Sequence, residues 1–396
     1  MKKILRKLKG SKRVFRLYFF VMQSLLKFLA IFVRTDEKLI LFVSFSGRKY
    51  DDSPKEIYEA MLEDERFKAY KLVWAFKEPA NFRNEVKNAV KIDSIRFYLL
   101  SLKAKIWVNN SMFAKVFVYK KKNTLHFNTW HGTAIKHIGI DTKDSLITAL
   151  KGKLKWDIDI MSSQGKHDDE IFFRAFGDLF TTKDKNRLVP TGLPRNDVLS
   201  NYTSEKREKL RVALDLPKDK KIILYAPTWR TYGKDGVDPH ILKPPLEIGR
   251  LEKELGDEYV LLVRVHHYIS QIYNVDGSKQ FVRNFSNYKY LNDLMIVSDL
   301  LITDYSSICF DYAIMDKPIL YFAYDYEEYK KNTGVYVDIA KECSESIVYT
   351  ENQLVDKLKG LDYAEAVTYT KRFREKYVEY YGNGVERCID EIIRSV

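Results

Sequence analysis

The stretch Leu300–Tyr324, LLITDYSSICFDYAIMDKPILYFAY, decides the fold. It reads as strand, tight polar turn, helix, strand. Leu300–Thr303 is a short apolar run that stops at Asp304. Ser306 and Ser307 stand where a helix would begin, ahead of Ile308, Phe310, Tyr312, Ala313 and Ile314. A serine in that place caps the free backbone N–H groups of the first turn. The same N–H groups, with the helix dipole, favour a phosphate or another anion. Lys317–Pro318 ends the helix and Ile319–Phe322 opens the next strand. A helix cap alone would satisfy this pattern. It carries more weight because similar turns, containing His, Arg and Thr, recur after other apolar runs.

Working outward, the same alternation covers the chain from residue 35. Leu39–Phe45, Lys71–Phe76, Lys105–Asn109, Leu125–Thr129 and Asp159–Ser162 are candidate strands of a first half. Helical stretches near Pro54–Leu62, Ser94–Leu102 and Gly165–Phe176 lie between them. A second half restarts at Lys221–Ala226 and continues through Tyr259–Val265, Asp299–Thr303 and Ile319–Phe322, with helices near Leu246–Leu255, Tyr290–Val297, Ser307–Met315 and Glu351–Leu358. Such alternation predicts α/β architecture: two doubly wound parallel sheets, each covered on both faces. Ligands then bind between the carboxyl ends of the two sheets. The polar stretch Ser200–Lys209 reads as the linker. The predicted division is 1–34 as a basic arm, 35–204 as the first lobe and 205–396 as the second, with the last helix able to cross back to the first lobe.

Charge separates the arm from the body. Ten of the thirteen excess positive charges fall within residues 1–34, which contain no Asp or Glu. The body is close to neutral and lacks the basic face of a nucleic-acid-binding protein, so no nucleic-acid partner is predicted. Three widely spaced cysteines fit neither a disulfide framework nor a zinc site, and they suit a reducing compartment. Val14–Val33 is long and apolar, yet Arg16 and Lys27 interrupt it, at a high cost for a membrane span. Arg16, Gln23, Lys27 and Arg34 fall on one helical stripe, with aromatic and aliphatic residues around the rest. That pattern predicts a peripheral helix lying in the interface of an anionic membrane, with docking on the protein's own surface as the alternative.

Four polar turns follow predicted strands. In Thr129-Trp130-His131-Gly132-Thr133, Gly132 lets the chain bend beside His131, the residue type suited to take a proton near neutral pH. Thr133 is expected to cap a following helix that carries Lys136 one turn in. Pro190–Asp197 is a rigid turn offering Arg195 and Asn196 at a helix start. Ala226-Pro227-Thr228-Trp229-Arg230 offers Thr228 and Arg230 to phosphate. Arg264 and His266, in Arg264-Val265-His266-His267, share one side of a strand and could clamp a phosphoryl oxygen. No HExxH, paired-cysteine, Walker, GxGxxG or G-x-S-x-G pattern is present, which sets aside metal, kinase, ATPase, dinucleotide-dehydrogenase and serine-hydrolase chemistry. No cofactor is predicted, and a Mg²⁺ requirement is left open.

With these turns in place, the chain resembles the CDP-glycerol glycerophosphotransferase family of teichoic-acid and related polymer synthesis. The matching stretches are SGRKYDDSPKEIYE (46–59), NTWHGTAIKHIG (128–139), PTGLPRNDVL (190–199), YAPTWR (225–230), RVHH (264–267) and SDLLITDYSSICFDYAIMDKPILYF (298–322). The resemblance implies a GT-B arrangement of two Rossmann-like halves at the cytoplasmic face of the membrane, with an acceptor lobe followed by a CDP-donor lobe. It implies transfer of glycerol phosphate or ribitol phosphate from a CDP-activated donor to a saccharide acceptor on undecaprenyl diphosphate, with release of CMP. Carried over by position, His131 would be the catalytic base that deprotonates the acceptor hydroxyl, and His266, also catalytic, would steady the donor pyrophosphate with Arg264. Thr228, Arg230, Arg264, Asp304, Ser306 and Ser307 would serve the donor, with Asp304 and Asp311 orienting their loop. Gly132, Thr133, Lys136, Arg195 and Asn196 would contact acceptor or phosphate. Family members often have Pro or Tyr where this chain has His267. Two alternatives are a GT-B glycosyltransferase using a nucleotide sugar and a non-enzymatic ligand-binding protein.

Overall fold

Alternating apolar runs and amphipathic stretches produce two separate parallel sheets. The computed structural model describes residues 12–111, 119–142, 157–176, 187–228, 245–265, 278 and 280–396. The first sheet contains β1 (Asp36–Val43), β2 (Lys71–Phe76), β3 (Ala89–Lys91), β4 (Ala104–Asn109), β5 (Leu125–Asn128), β6 (Ile160–Ser162) and β7 (Leu188–Val189). Its order is β3-β2-β1-β4-β5-β6-β7, with every pairing parallel. The second contains β8 (Lys221–Tyr225), β9 (Tyr259–Val263), β10 (Val282–Asn284), β11 (Leu300–Thr303), β12 (Ile319–Phe322) and β13 (Ile347–Val348). Its order is β10-β9-β8-β11-β12-β13, again all parallel.

Each sheet therefore winds outward one way from its first strand and then the other way. The winding reverses between β1 and β4 in one sheet and between β8 and β11 in the other. A crevice opens beyond the carboxyl ends of the strands at such a reversal. Ile40, Leu41, Phe42 and Val43 of β1 are wholly buried, which is the reason β1 reads as an unbroken apolar run.

The helices used below are α1 (Lys12–Phe32), α2 (Asp52–Glu63), α3 (Ile95–Lys103), α4 (Lys166–Phe176), α5 (Ser204–Ala213), α6 (Leu291–Val297), α7 (Ile308–Ala313), α8 (Tyr363–Tyr377) and α9 (Gly384–Arg394). Local chemistry starts several of them. Ser94 accepts from the Phe97 amide ahead of α3, and Thr203 from the Lys206 amide ahead of α5. Helix α5 corrects one expectation, since most of the predicted linker is helical. Its Arg207 reaches Asp299 at 2.6 Å and so fastens the segment to the second lobe.

After α8, which packs Phe373 on Phe310 of α7, the chain returns to the first lobe. There α9 buries Cys388, Ile389 and Ile392 in one cluster with Phe42, Ile57 and Trp74. Full burial of an aliphatic side chain stabilises by about 1.5–3 kcal/mol, so this helix ties the carboxyl terminus firmly to the first sheet. Asp197 accepts from the Gly384 and Val385 amides and fixes where α9 begins.

Among the described residues, no helix is long and apolar enough to cross a membrane. Helix α1 leaves Phe20, Val21, Leu25, Phe28, Ile31 and Phe32 exposed.

Candidate active site

On the first lobe the site begins where β1 ends. Phe45, Ser46 and Gly47 all adopt positive φ, at 46°, 55° and 77°. This turn holds the Phe45 amide against Asn110 Oδ1 at 2.8 Å and the Ser46 amide against Ser111 Oγ at 3.2 Å. The exits of β1 and β4 are thereby locked together. The exit of β5 bends at Trp130, φ 51°, whose amide donates to Asn128 Oδ1 at 2.7 Å.

His131 follows, edge-on to Phe45 and tilted against Trp130. Its Nδ1 lies 2.6 Å from the Asn110 carbonyl oxygen. A carbonyl can only accept, so the proton sits on Nδ1 and the lone pair on Nε2. Burial lowers the His131 pKa below its ordinary value, with the Asn110 carbonyl pulling the other way. At neutral pH this imidazole is uncharged and basic at Nε2.

The second lobe supplies the facing wall. Asp304, at the end of β11, accepts from the Thr228 amide at 2.8 Å and the Tyr305 amide at 2.6 Å. Thr303 Oγ1 donates to the Ala226 carbonyl at 2.8 Å. Together they fasten the exit of β8 to the exit of β11. Ser306 and Ser307 lead into α7, and the Ile308 amide lies 3.4 Å from Ser306 Oγ. Thr228, Tyr305, Ser306 and Ser307 line one crevice with Trp130, His131, Gly132, Thr133 and Lys136. Gly132 faces Ser307 of the other lobe. A Cβ there would stand 3.2 Å from Arg195 Nη2 and 3.4 Å from Ser307 Oγ, and φ is +140°. The positive φ favours glycine, and a side chain would in addition press on the Arg195 guanidinium.

Arg195 and Asn196 are not left free for a phosphate. Arg195 donates to Asp52 and to Asp311, each at 2.7 Å, and Asn196 donates to Asp311 at 2.7 Å. Asp52 opens α2 in the first lobe and Asp311 lies in α7 of the second, so the guanidinium pins one lobe to the other. Asp311, expected to orient the serine turn, is bonded instead to Arg195 and Asn196.

Thr133 caps no helix. Its hydroxyl donates to buried Asp168 at 3.1 Å and accepts from Gln164 at 2.8 Å. The chain beyond runs extended, because Lys136 pairs antiparallel with Val335 and the Tyr336 amide donates to the Ile135 carbonyl at 2.6 Å. Backbone pairing with the other lobe takes the amides a helix would have used. Lys136 remains exposed at the crevice edge.

Arg264 donates to the Phe285 and Tyr288 carbonyls, at 3.2 and 2.6 Å. No carboxylate among the described residues pairs with it. Arg230 and His266 lie outside the described residues. Sequence reasoning missed Asp52, Gln164 and Asp168. Burial pushes the Asp168 carboxyl up to about 7, although the Gln164 amide and the Thr133 hydroxyl both favour its ionised form. The positive φ of Asp52, 67°, has no sequence signature beyond the paired aspartates at 51 and 52.

Comparison with known proteins agrees with this fold. The chain is 35% identical over 360 residues to the teichoic acid poly(glycerol phosphate) polymerase of Staphylococcus epidermidis, covering 87% of this chain and 48% of that protein. It thus spans about half that relative's length. It is 32% identical over 342 residues to the teichoic acid glycerol-phosphate transferase of Staphylococcus aureus, covering 83% of this chain and 85% of that one. The solved wall teichoic acid polymerase TagF superposes with a TM-score of 0.81 at 32% identity, covering 100% of this chain and 96% of that one. A variant of that polymerase has been solved after soaking with CDPG. The family model of CDP-Glycerol:Poly(glycerophosphate) glycerophosphotransferase matches residues 25–394, and the chain belongs to that family.

Proposed function

We propose that this chain transfers a polyol phosphate, glycerol phosphate or ribitol phosphate, from a CDP-activated donor to a hydroxyl of a lipid-linked acceptor and releases CMP. One observation carries the proposal. A neutral His131, its proton held on Nδ1 by Asn110, lines the same crevice as Thr228, Ser306 and Ser307. The acceptor O–H gives its proton to Nε2 of His131 as its oxygen attacks the phosphorus that carries the polyol. The bond from that phosphorus to the CMP oxygen breaks, and CMP leaves with the electron pair.

Thr228, Ser306 and Ser307 hold the diphosphate, with the positive charge of Arg264 behind them. Arg230 and His266 join them in this reading on family position alone. In this reading residues 35–204 receive the acceptor, an undecaprenyl-diphosphate-linked saccharide, and 205–396 hold the donor. Residues 1–34 seat the protein on the cytoplasmic face of the membrane. The exposed apolar side chains of α1 support that placement.

The test is incubation of the full chain and acceptor with CDP-glycerol, CDP-ribitol and UDP-sugars. Release of CMP from a CDP-polyol is the expected result. Release of UDP without CMP would replace the proposal with a glycosyltransferase. Deleting residues 1–34 should free the protein from anionic vesicles, and unchanged sedimentation would refute the membrane role of the arm.

A further inference from the structure

The amino-terminal edge of the first sheet, opposite the crevice, carries a second hollow of about 420 Å³. It is lined by Lys105, Lys122, Thr124, Asp159, Arg187 and Ser395, among others. Its charges are unevenly matched. Lys105 pairs with Glu37 at 2.7 Å, and Lys120 pairs with Asp159 at 3.1 Å. Asp159 is further occupied by the His126 amide at 2.7 Å. Arg187 donates to the Asp159 carbonyl at 3.3 Å, which positions its guanidinium without neutralising it. Among the described residues, neither Arg187 nor Lys122 has a carboxylate partner. Among the described residues, the hollow therefore presents two cations without a carboxylate partner.

The wall of this hollow is tied to the end of α1. Lys121 donates to the Val33 carbonyl at 2.6 Å, and Asn123 donates to Thr35 Oγ1 at 3.1 Å. Three residues back, α1 ends in an apolar face with Ile31 75% and Phe32 69% exposed. Among the described residues, an exposed apolar helix end thus adjoins the wall of a basic hollow. A soluble phosphate would have no use for the apolar flank, whereas a phospholipid fits both parts.

We propose that this hollow seats the phosphate of an anionic phospholipid while the apolar face of α1 enters the acyl layer. The inference rests on the membrane reading of the arm and adds a folded headgroup site to it. β4 runs from the hollow at Lys105 toward Asn110, whose carbonyl holds His131, so a strand of roughly 3.3 Å per residue spaces the headgroup from the chemistry.

The experiment uses the full chain and vesicles of phosphatidylcholine with or without phosphatidylglycerol. The double variant Lys122→Gln, Arg187→Gln should lose roughly 30-fold in affinity for the anionic vesicles, from two basic groups at a charged surface. A control that removes the same charge elsewhere, Lys206→Gln with Lys209→Gln, should lose far less. Equal losses, or no loss in the first variant while the wild type still sediments, overturn the headgroup site and leave the arm's role standing. A second measurement does not depend on the arm. Soluble dihexanoyl phosphatidylglycerol should raise the melting temperature of the wild type and not of the double variant. No rise overturns the site, and an equal rise with inorganic phosphate reassigns it to a soluble anion.

Discussion

Replacing Arg195 by alanine should destabilise the protein by about 3–5 kcal/mol, the range for breaking a buried ion pair by removing one partner. Arg195 serves two carboxylates at once, and the Asp52 and Asp311 side chains are only 4% and 6% exposed. Without the guanidinium both lie buried at the junction of the lobes, and Asp311 keeps only the Asn196 amide. Native stability is about 5–15 kcal/mol, so a large share would be lost. The sign with pH is also set. Burial raises the Asp311 pKa above its ordinary value, and Arg195 pulls it back down. A carboxyl whose folded pKa is raised destabilises the fold above that pKa and ceases to do so as pH falls through it. Losing Arg195 raises it further, so the gap between variant and wild type should narrow from pH 7 downward. Urea unfolding at several pH values measures this. Adding Asp52→Asn and Asp311→Asn to the variant should recover much of the loss. A loss under about 1 kcal/mol, or a gap that widens on acidification, would refute a buried ionic lock between the lobes.

Gly132→Ala should cost about 1–3 kcal/mol from its positive φ, and should also slow CMP release because the new Cβ crowds Arg195 and Ser307; wild-type turnover in the variant would contradict this. Asp304→Ala leaves the Thr228 and Tyr305 amides without their shared acceptor, at about 1–3 kcal/mol each, and should raise KM for the donor more than it lowers kcat. Tyr336→Phe removes a hydroxyl that bridges the lobes, donating to Asp141 at 2.7 Å and accepting from the Ile138 amide at 3.2 Å, and should cost about 1 kcal/mol in urea unfolding.

The sequence made the central strands plain because they are buried on both faces and read as continuous apolar runs. The edge strands Ala89–Lys91, Leu188–Val189, Val282–Asn284 and Ile347–Val348 are two or three residues long, too short to show a period. His131, Thr228, Ser306 and Ser307 were legible because each follows a strand in a turn of Gly, Pro or Ser. The role of Arg195 was not. Its partners lie 143 and 116 residues away along the chain, and nothing local distinguishes an arginine bound for phosphate from one bound for carboxylates. The helix expected after Thr133 failed for a related reason. Cap chemistry is a local preference, and here a buried aspartate and a backbone bridge from the other lobe outcompete it.

CMP release from CDP-glycerol, followed against pH in the wild type and in His131→Ala, tests the central claim most directly. The expected result is a loss of at least about 10²-fold in the variant. In the wild type, the acid limb of kcat/KM should fall below the ordinary histidine value of 6.5, since burial depresses the His131 pKa. A folded His131→Ala protein with wild-type turnover, or an acid limb well above 6.5, would contradict a neutral imidazole at the head of the crevice.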